Sequence, residues 1–228
     1  MSKPWIGDAR IAVPKPAVFR NKRPVKAIAI ENEGDFLLCA GEQLELITLN
    51  SEKKDGISIR PKKEFTTLAI ADDNSSLIVG GKDEPLAYHL DLVDFKIIKK
   101  YPHGIISAKI YSEFNELYFT TDNGLAYGFD LKKGKKRSRS SDWMLNTYND
   151  IAADAEYVYL PDDYGDVRIL KKRKWYQQNV LKGKLKKANT LELSHSGDLL
   201  AVSGNSKSIV VWDLKTKRVI SNLKGLVN

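Results

Sequence analysis

The chain has 228 residues, 42% of them hydrophobic, and carries 37 Lys and Arg against 29 Asp and Glu, a net charge of +8. That length supports a sizeable core, and no stretch approaches the roughly 18 uninterrupted apolar residues of a membrane span. The positive surplus suits acidic partners such as nucleic acid, a phosphorylated tail or an acidic protein surface, or else simply keeps the surface solvated.

Residues 1–24 contain Pro4, Pro14, Pro16 and Pro24 and read as an extended arm. They show no basic segment followed by an apolar one, so no secretory leader is expected. The single cysteine, Cys39, has no partner for an internal disulfide and sits in an apolar run, where a thiol behaves as a small buried hydrophobe. The expectation is an intracellular protein, cytoplasmic or nuclear.

From residue 25 the same elements recur in order. The first repeat, 25–64, reads as an apolar strand at 25–30, a polar turn at 31–35, an apolar run at 36–40, a third strand at 44–49 and a polar fourth at 57–60. The second, 65–104, repeats this with strands at 65–70, 77–80, 86–92 and 95–99. The third, 105–145, has strands at 105–110, 117–120 and 125–131, with Asn123-Gly124 between the last two as a strong hairpin signal. The fourth, 146–186, shows runs at 157–160, 167–170 and 174–180, and the fifth, 187–226, runs at 190–193, 199–202, 209–214 and 218–223. Leu37, Leu77, Leu117, Tyr157 and Leu199 stand at steps of 40, 40, 40 and 42 residues. Three apolar strands and one polar strand per forty residues describe a propeller blade, with inner strands buried between neighbours and the outermost facing water. The expected fold is an all-β propeller of about five four-stranded blades, as a closed ring or an open arc.

The fifth repeat is the most specific. Ile209-Val210-Val211-Trp212-Asp213-Leu214, preceded by the turn Ser194-His195-Ser196-Gly197-Asp198, resembles a WD repeat. That family ends its third strand with Trp-Asp and has a Ser-Pro-Asp-Gly-like turn two strands earlier. Leu90-Asp91-Leu92 and Phe129-Asp130-Leu131 resemble the same position in weaker form, while repeats one and four lack it. The family's Gly-His pair has only a loose echo in Pro102-His103-Gly104. The resemblance spans 25–226 by period and 187–226 by motif. It implies a non-enzymatic interaction platform that needs no cofactor.

Linear motifs for chemistry are weak. His89, His103 and His195 fall in three different repeats, without metal-ligand spacing. The glycine turns at 80–82 and 203–208 lack phosphate-loop spacing and open no helix. Asp162-Asp163-Tyr164-Gly165-Asp166 lacks the ligand alternation and late Glu of a calcium loop. No metal site and no catalytic set is expected.

The turns expected between second and third strands lean acidic, and those between third and fourth strands are rich in lysine. The first set supplies candidate protein contacts around one channel mouth: Gln43, Lys82, Asp83, His103, Asp122, Asp162, Tyr164 and Asn205. The second set supplies candidate nucleic-acid contacts: Lys132, Lys133, Lys135, Lys136, Arg137, Lys171, Lys172, Arg173 and Lys174. Trp175 and Tyr176 beside them could stack on bases, though a strand aromatic more often packs. Two functions follow: a scaffold holding a protein partner within a larger complex, or an RNA- or DNA-associated subunit using the basic face. No membrane is expected as a partner.

Overall fold

The computed structural model describes residues 23–49, 53–139, 147–172, 175, 177–183 and 185–224. These form five four-stranded antiparallel sheets and no helix. The first blade is β1 (Val25–Ile30), β2 (Phe36–Gly41), β3 (Leu44–Thr48) and β4 (Lys53–Ile57). The second is β5 (Thr67–Ile70), β6 (Ser76–Gly80), β7 (Ala87–Asp91) and β8 (Ile97–Tyr101). The third is β9 (Ile105–Tyr111), β10 (Glu116–Thr121), β11 (Ala126–Asp130) and β12 (Lys135–Arg139). The fourth is β13 (Ala152–Ala153), β14 (Tyr157–Pro161), β15 (Val167–Lys171) and β16 (Gln177–Leu181). The fifth is β17 (Ala188–Leu193), β18 (Leu199–Gly204), β19 (Ser206–Asp213) and β20 (Arg218–Lys224). Within every sheet the strands pair in chain order, and none of the sheets closes on itself by hydrogen bonds. The expected propeller of five four-stranded blades is the observed one; the extended arm at 1–24 falls almost wholly outside the described residues.

Outer strands depart most from the reading of the sequence. The fourth strand of the first blade lies at Lys53–Ile57, not 57–60, and Lys135–Arg139, read as a lysine turn, is a strand. An outermost strand is held by its backbone ladder to the third strand, as Asp130 to Lys135 and Phe129 to Lys136 show. It needs no apolar face, so hydrophobic alternation does not reveal it.

The second strands are apolar at successive positions because both of their faces are covered. Leu77 packs with Leu38 and Leu44 of the first blade, while its neighbour Ile78 packs with Phe119 and Ile105 of the third. Two further clusters join the next blades, Tyr118 with Val158 and Leu170, then Val167 with Leu200 and Trp212. Among the described residues no such cluster joins the fifth blade to the first, and Ile28 and Ile30 on β1 are 62% and 59% exposed.

One contact repeats in all five blades and sets their register. The residue just after the third strand, or closing it, donates its N–H to the turn joining the first two strands. The pairs are Leu49 to Asp35 (2.8 Å), Leu92 to Ser75 (3.1 Å), Leu131 to Asn115 (2.8 Å), Lys172 to Glu156 (3.0 Å) and Leu214 to Asp198 (2.9 Å). Where an aspartate precedes that residue, it caps the following turn. Asp91 accepts from Val93 N (2.8 Å), Asp130 from Lys133 N (2.9 Å) and Asp213 from Thr216 N (2.7 Å). Glycines sit where incoming chain crosses a strand end: a Cβ on Gly81 would lie 2.4 Å from Glu64 O, and one on Gly204 1.6 Å from Lys187 O. Both belong to turns the sequence flagged, and close backbone approach is what requires glycine there.

Candidate functional site

Because strands alternate in direction, turns between second and third strands share one face with the connections between blades. Gln43, Lys82, Asp83, His103, Asp122, Tyr164 and Asn205 all stand on that face, as expected. Asp162 stands apart from them, because it is fully buried. Its carboxylate accepts from Tyr164 N (3.0 Å), Asp166 N (3.0 Å) and Arg168 Nε (3.0 Å), so it organises the turn and meets no partner. Gly165 completes the turn at φ +84°, and Tyr164 projects from it 71% exposed. Asp163 pairs with Lys187 (2.6 Å) and Asp166 with Lys182 (2.7 Å), so the three carboxylates diverge. Among the described residues no group of three His, Cys, Asp or Glu is placed to hold a metal ion.

The face is not acidic overall. The blade connections that share it bring Arg23, Lys62, Lys63, Lys182 and Lys187, which the turn-by-turn reading left out. Arg23 lies 3.9 Å from Glu42, and Lys26 3.3 Å from Glu64. His103 stacks on Tyr127 at 4.5 Å between ring centroids, and desolvation holds its pKa below the ordinary imidazole value despite Asp122 nearby.

The opposite face combines two sets of turns. Those joining first and second strands ring the channel mouth with exposed carboxylates, among them Glu33, Asp35, Asp72, Asp73 and Glu113. Lysines occupy the outer ring. Of the expected nucleic-acid contacts, Lys132 and Lys133 lie in the turn after β11, and Lys135 and Lys136 on β12; all four are exposed. Arg137 is on β12 with its side chain outside the described set, as are Arg173, Lys174 and Tyr176 altogether. Lys171 lies 4.0 Å from Glu156. Lys172 is no surface lysine. It is 5% exposed, donates to Glu116 Oε2 at 2.6 Å, and sits over the Phe114 ring at 4.2 Å. Tyr118 donates to the same Glu116 oxygen (2.7 Å), and buried Trp175 stacks on Tyr118. The run at 171–174 is therefore spent partly on the blade interface, and Trp175 packs instead of stacking on bases. A sequence signal existed: aligned by repeat, Lys172 occupies the slot of Leu49, Leu92, Leu131 and Leu214.

The channel wall was not legible in advance. It encloses about 430 Å³, lined by Thr67, Ser107, Lys109, Asp150, Thr190 and Glu192 among others. Asp150 accepts four hydrogen bonds: from Ser107 Oγ (2.5 Å) and Ile151 N (2.8 Å) on Oδ1, and from Thr190 Oγ1 (2.7 Å) and Leu191 N (3.0 Å) on Oδ2. Lys109 reaches Glu192 at 2.8 Å, linking blades three and five past the two-residue strand β13.

A scan against protein-family models finds no match, and a search of curated proteins finds none similar. Among the described residues no helix is long and apolar enough to cross a membrane.

His89 on β7 is buried, and its Nε2 has no partner among the described residues. Burial, then the charge of Lys99, holds its pKa down to about 4, against 6.5 for the free side chain. Well above pH 6.5 the imidazole is neutral in both states and stability is unaffected. Below that, the unfolded chain takes up the proton first, so stability is lost as pH falls toward 4. The expected loss is about 2 kcal/mol by pH 5. Urea unfolding at the two pH values measures it, and His89→Leu should flatten the difference. An unchanged slope in that variant would place the titration elsewhere.

Proposed function

We propose that the chain is a non-enzymatic, WD-repeat-like interaction scaffold that holds a protein partner on the face formed by its second-to-third-strand turns. Tyr164 carries this reading. It is a large aromatic, 71% exposed, on a turn immobilised by a fully buried aspartate. Ordering such a side chain on binding costs little, and exposed tyrosines on rigid supports are frequent energetic anchors of interfaces. Lys82, Asp83, Asp122 and Asn205 supply a polar surround. The aspartate caps at Asp91, Asp130 and Asp213 support the WD-like reading, because one residue type serves one role at the same place in three repeats.

Tyr164→Ala combined with Asp83→Ala tests it. Affinity capture from cell extract, with quantitative mass spectrometry, should show at least one stoichiometric polypeptide held by the wild type and reduced about tenfold by the variant. The melting temperature should be unchanged. A partner retained in full by the variant, or lost only together with thermal stability, would remove the face from consideration.

A further inference from the structure

Several basic side chains on the two faces lie against carboxylates, among them Arg23, Lys26, Lys96, Lys109, Lys171, Lys172, Lys182 and Lys187. The outer wall of the third blade carries a dense group without such partners. Lys132, Lys133, Lys135 and Lys136 are exposed within five consecutive positions, and none of them forms an ion pair with another described residue. The nearby Asp130 is buried and turned toward the Lys133 N–H. The second blade adds to the same wall, since Lys99 donates its Nζ hydrogen to Gly134 O and Lys100 is exposed beside it.

Three of these side chains are also laid down in advance. Lys99 lies over Tyr101 (5.5 Å) and Phe129 (5.8 Å), Lys100 over Tyr88 (5.8 Å) and Lys136 over Tyr127 (6.0 Å). Stems held on aromatic rings lose less rotamer freedom when an anion arrives. The exposed carboxylates around the nearer channel mouth repel a polyanion from the centre of the face and leave the outer wall as its landing place.

The geometry points to the outer wall of blades two and three as a sequence-independent binding surface for the phosphate backbone of nucleic acid. The rings beneath the lysines are packed in the blade interfaces and unavailable for base stacking, and lysine ammoniums act on phosphates as point charges. This surface is separate from the Tyr164 face, and the two stand or fall independently.

The test uses fluorescence anisotropy of the full chain with a labelled twenty-nucleotide single-stranded RNA, across rising salt. The wild type should bind with sub-micromolar affinity at low salt. The variant Lys132→Glu, Lys133→Glu, Lys135→Glu, Lys136→Glu should bind about 30-fold or more weakly, with its log–log salt slope reduced by about 3. A variant of the same net charge in the fifth blade, Lys207→Glu, Lys215→Glu, Arg218→Glu, Lys224→Glu, should bind within about threefold of the wild type. DNA of the same sequence and RNA of a different one should bind alike. Equal losses in the two variants, or wild-type binding that is absent even at low salt, would overturn the assignment. So would displacement by a polyglutamate peptide as effective as that by unlabelled RNA of equal charge, which would indicate an acidic protein partner.

Discussion

Replacing Lys172 with leucine is expected to lower the unfolding free energy by about 2–4 kcal/mol, even though leucine is the residue four other repeats carry at that position. The slot itself accepts leucine: Leu92 is buried in the equivalent place, and Leu131 and Leu214 pack against the cores of their own blade interfaces. What it cannot accept is leucine opposite Glu116, which is 3% exposed and would lose the ammonium 2.6 Å away. Removing one member of a buried pair costs more than the pair contributes, because the remaining charge stays desolvated. The ring contacts with Phe114, Tyr118 and Tyr111 are lost too. The double variant Lys172→Leu/Glu116→Gln should recover most of the loss, since glutamine is uncharged and still accepts from Tyr118. Urea unfolding of the wild type, both single variants and the double variant gives the coupling directly. A Lys172→Leu protein as stable as the wild type would mean that the pair is solvated.

Asp150→Ala and Asp150→Asn should each destabilise the protein by about 3 kcal/mol, and the near-isosteric asparagine should not rescue. The reason lies in which donors the carboxylate meets. Each oxygen accepts one hydroxyl and one backbone N–H: Ser107 and Ile151 on one side, Thr190 and Leu191 on the other. A hydroxyl can rotate to accept from an amide, but a backbone N–H cannot. Whichever way the asparagine is turned, its NH2 faces a donor and leaves a buried N–H unsatisfied. Ser107→Ala, which removes one hydroxyl, should cost about 1 kcal/mol. The same unfolding series measures all three, and an asparagine variant close to wild type would show that the aspartate is not held between the two N–H groups.

Both residues show where reading by pattern stops. The forty-residue period, the apolar second strands and the turns at 31–35 and 194–198 are properties of consecutive residues, set by backbone sterics and by burial at a single chain position. They were sufficient for the blade number and for the second and third strands of each blade. The outer strand Lys135–Arg139 escaped because a strand paired through its backbone on one side needs no apolar alternation. The two-residue β13 escaped because too little of it exists to make a pattern.

The candidate surfaces were legible only as types of residue. From turn position alone the sequence placed Tyr164, Asp83 and Asn205 on one face and Lys132 to Lys136 on turns of the other, though Lys135 and Lys136 lie on β12 instead. It placed Asp162 and Lys172 with them by the same rule, and there burial overrode it. Asp162 turns inward to its own loop, and Lys172 reaches a glutamate 56 residues earlier in the chain. By itself, then, the sequence determined the repeat, the strand chemistry and the sign of the net charge. Which charges meet water, and which neutralise one another between blades, was decided by the stacking of the blades. Desolvation and pairing depend on neighbours the chain brings together only after folding.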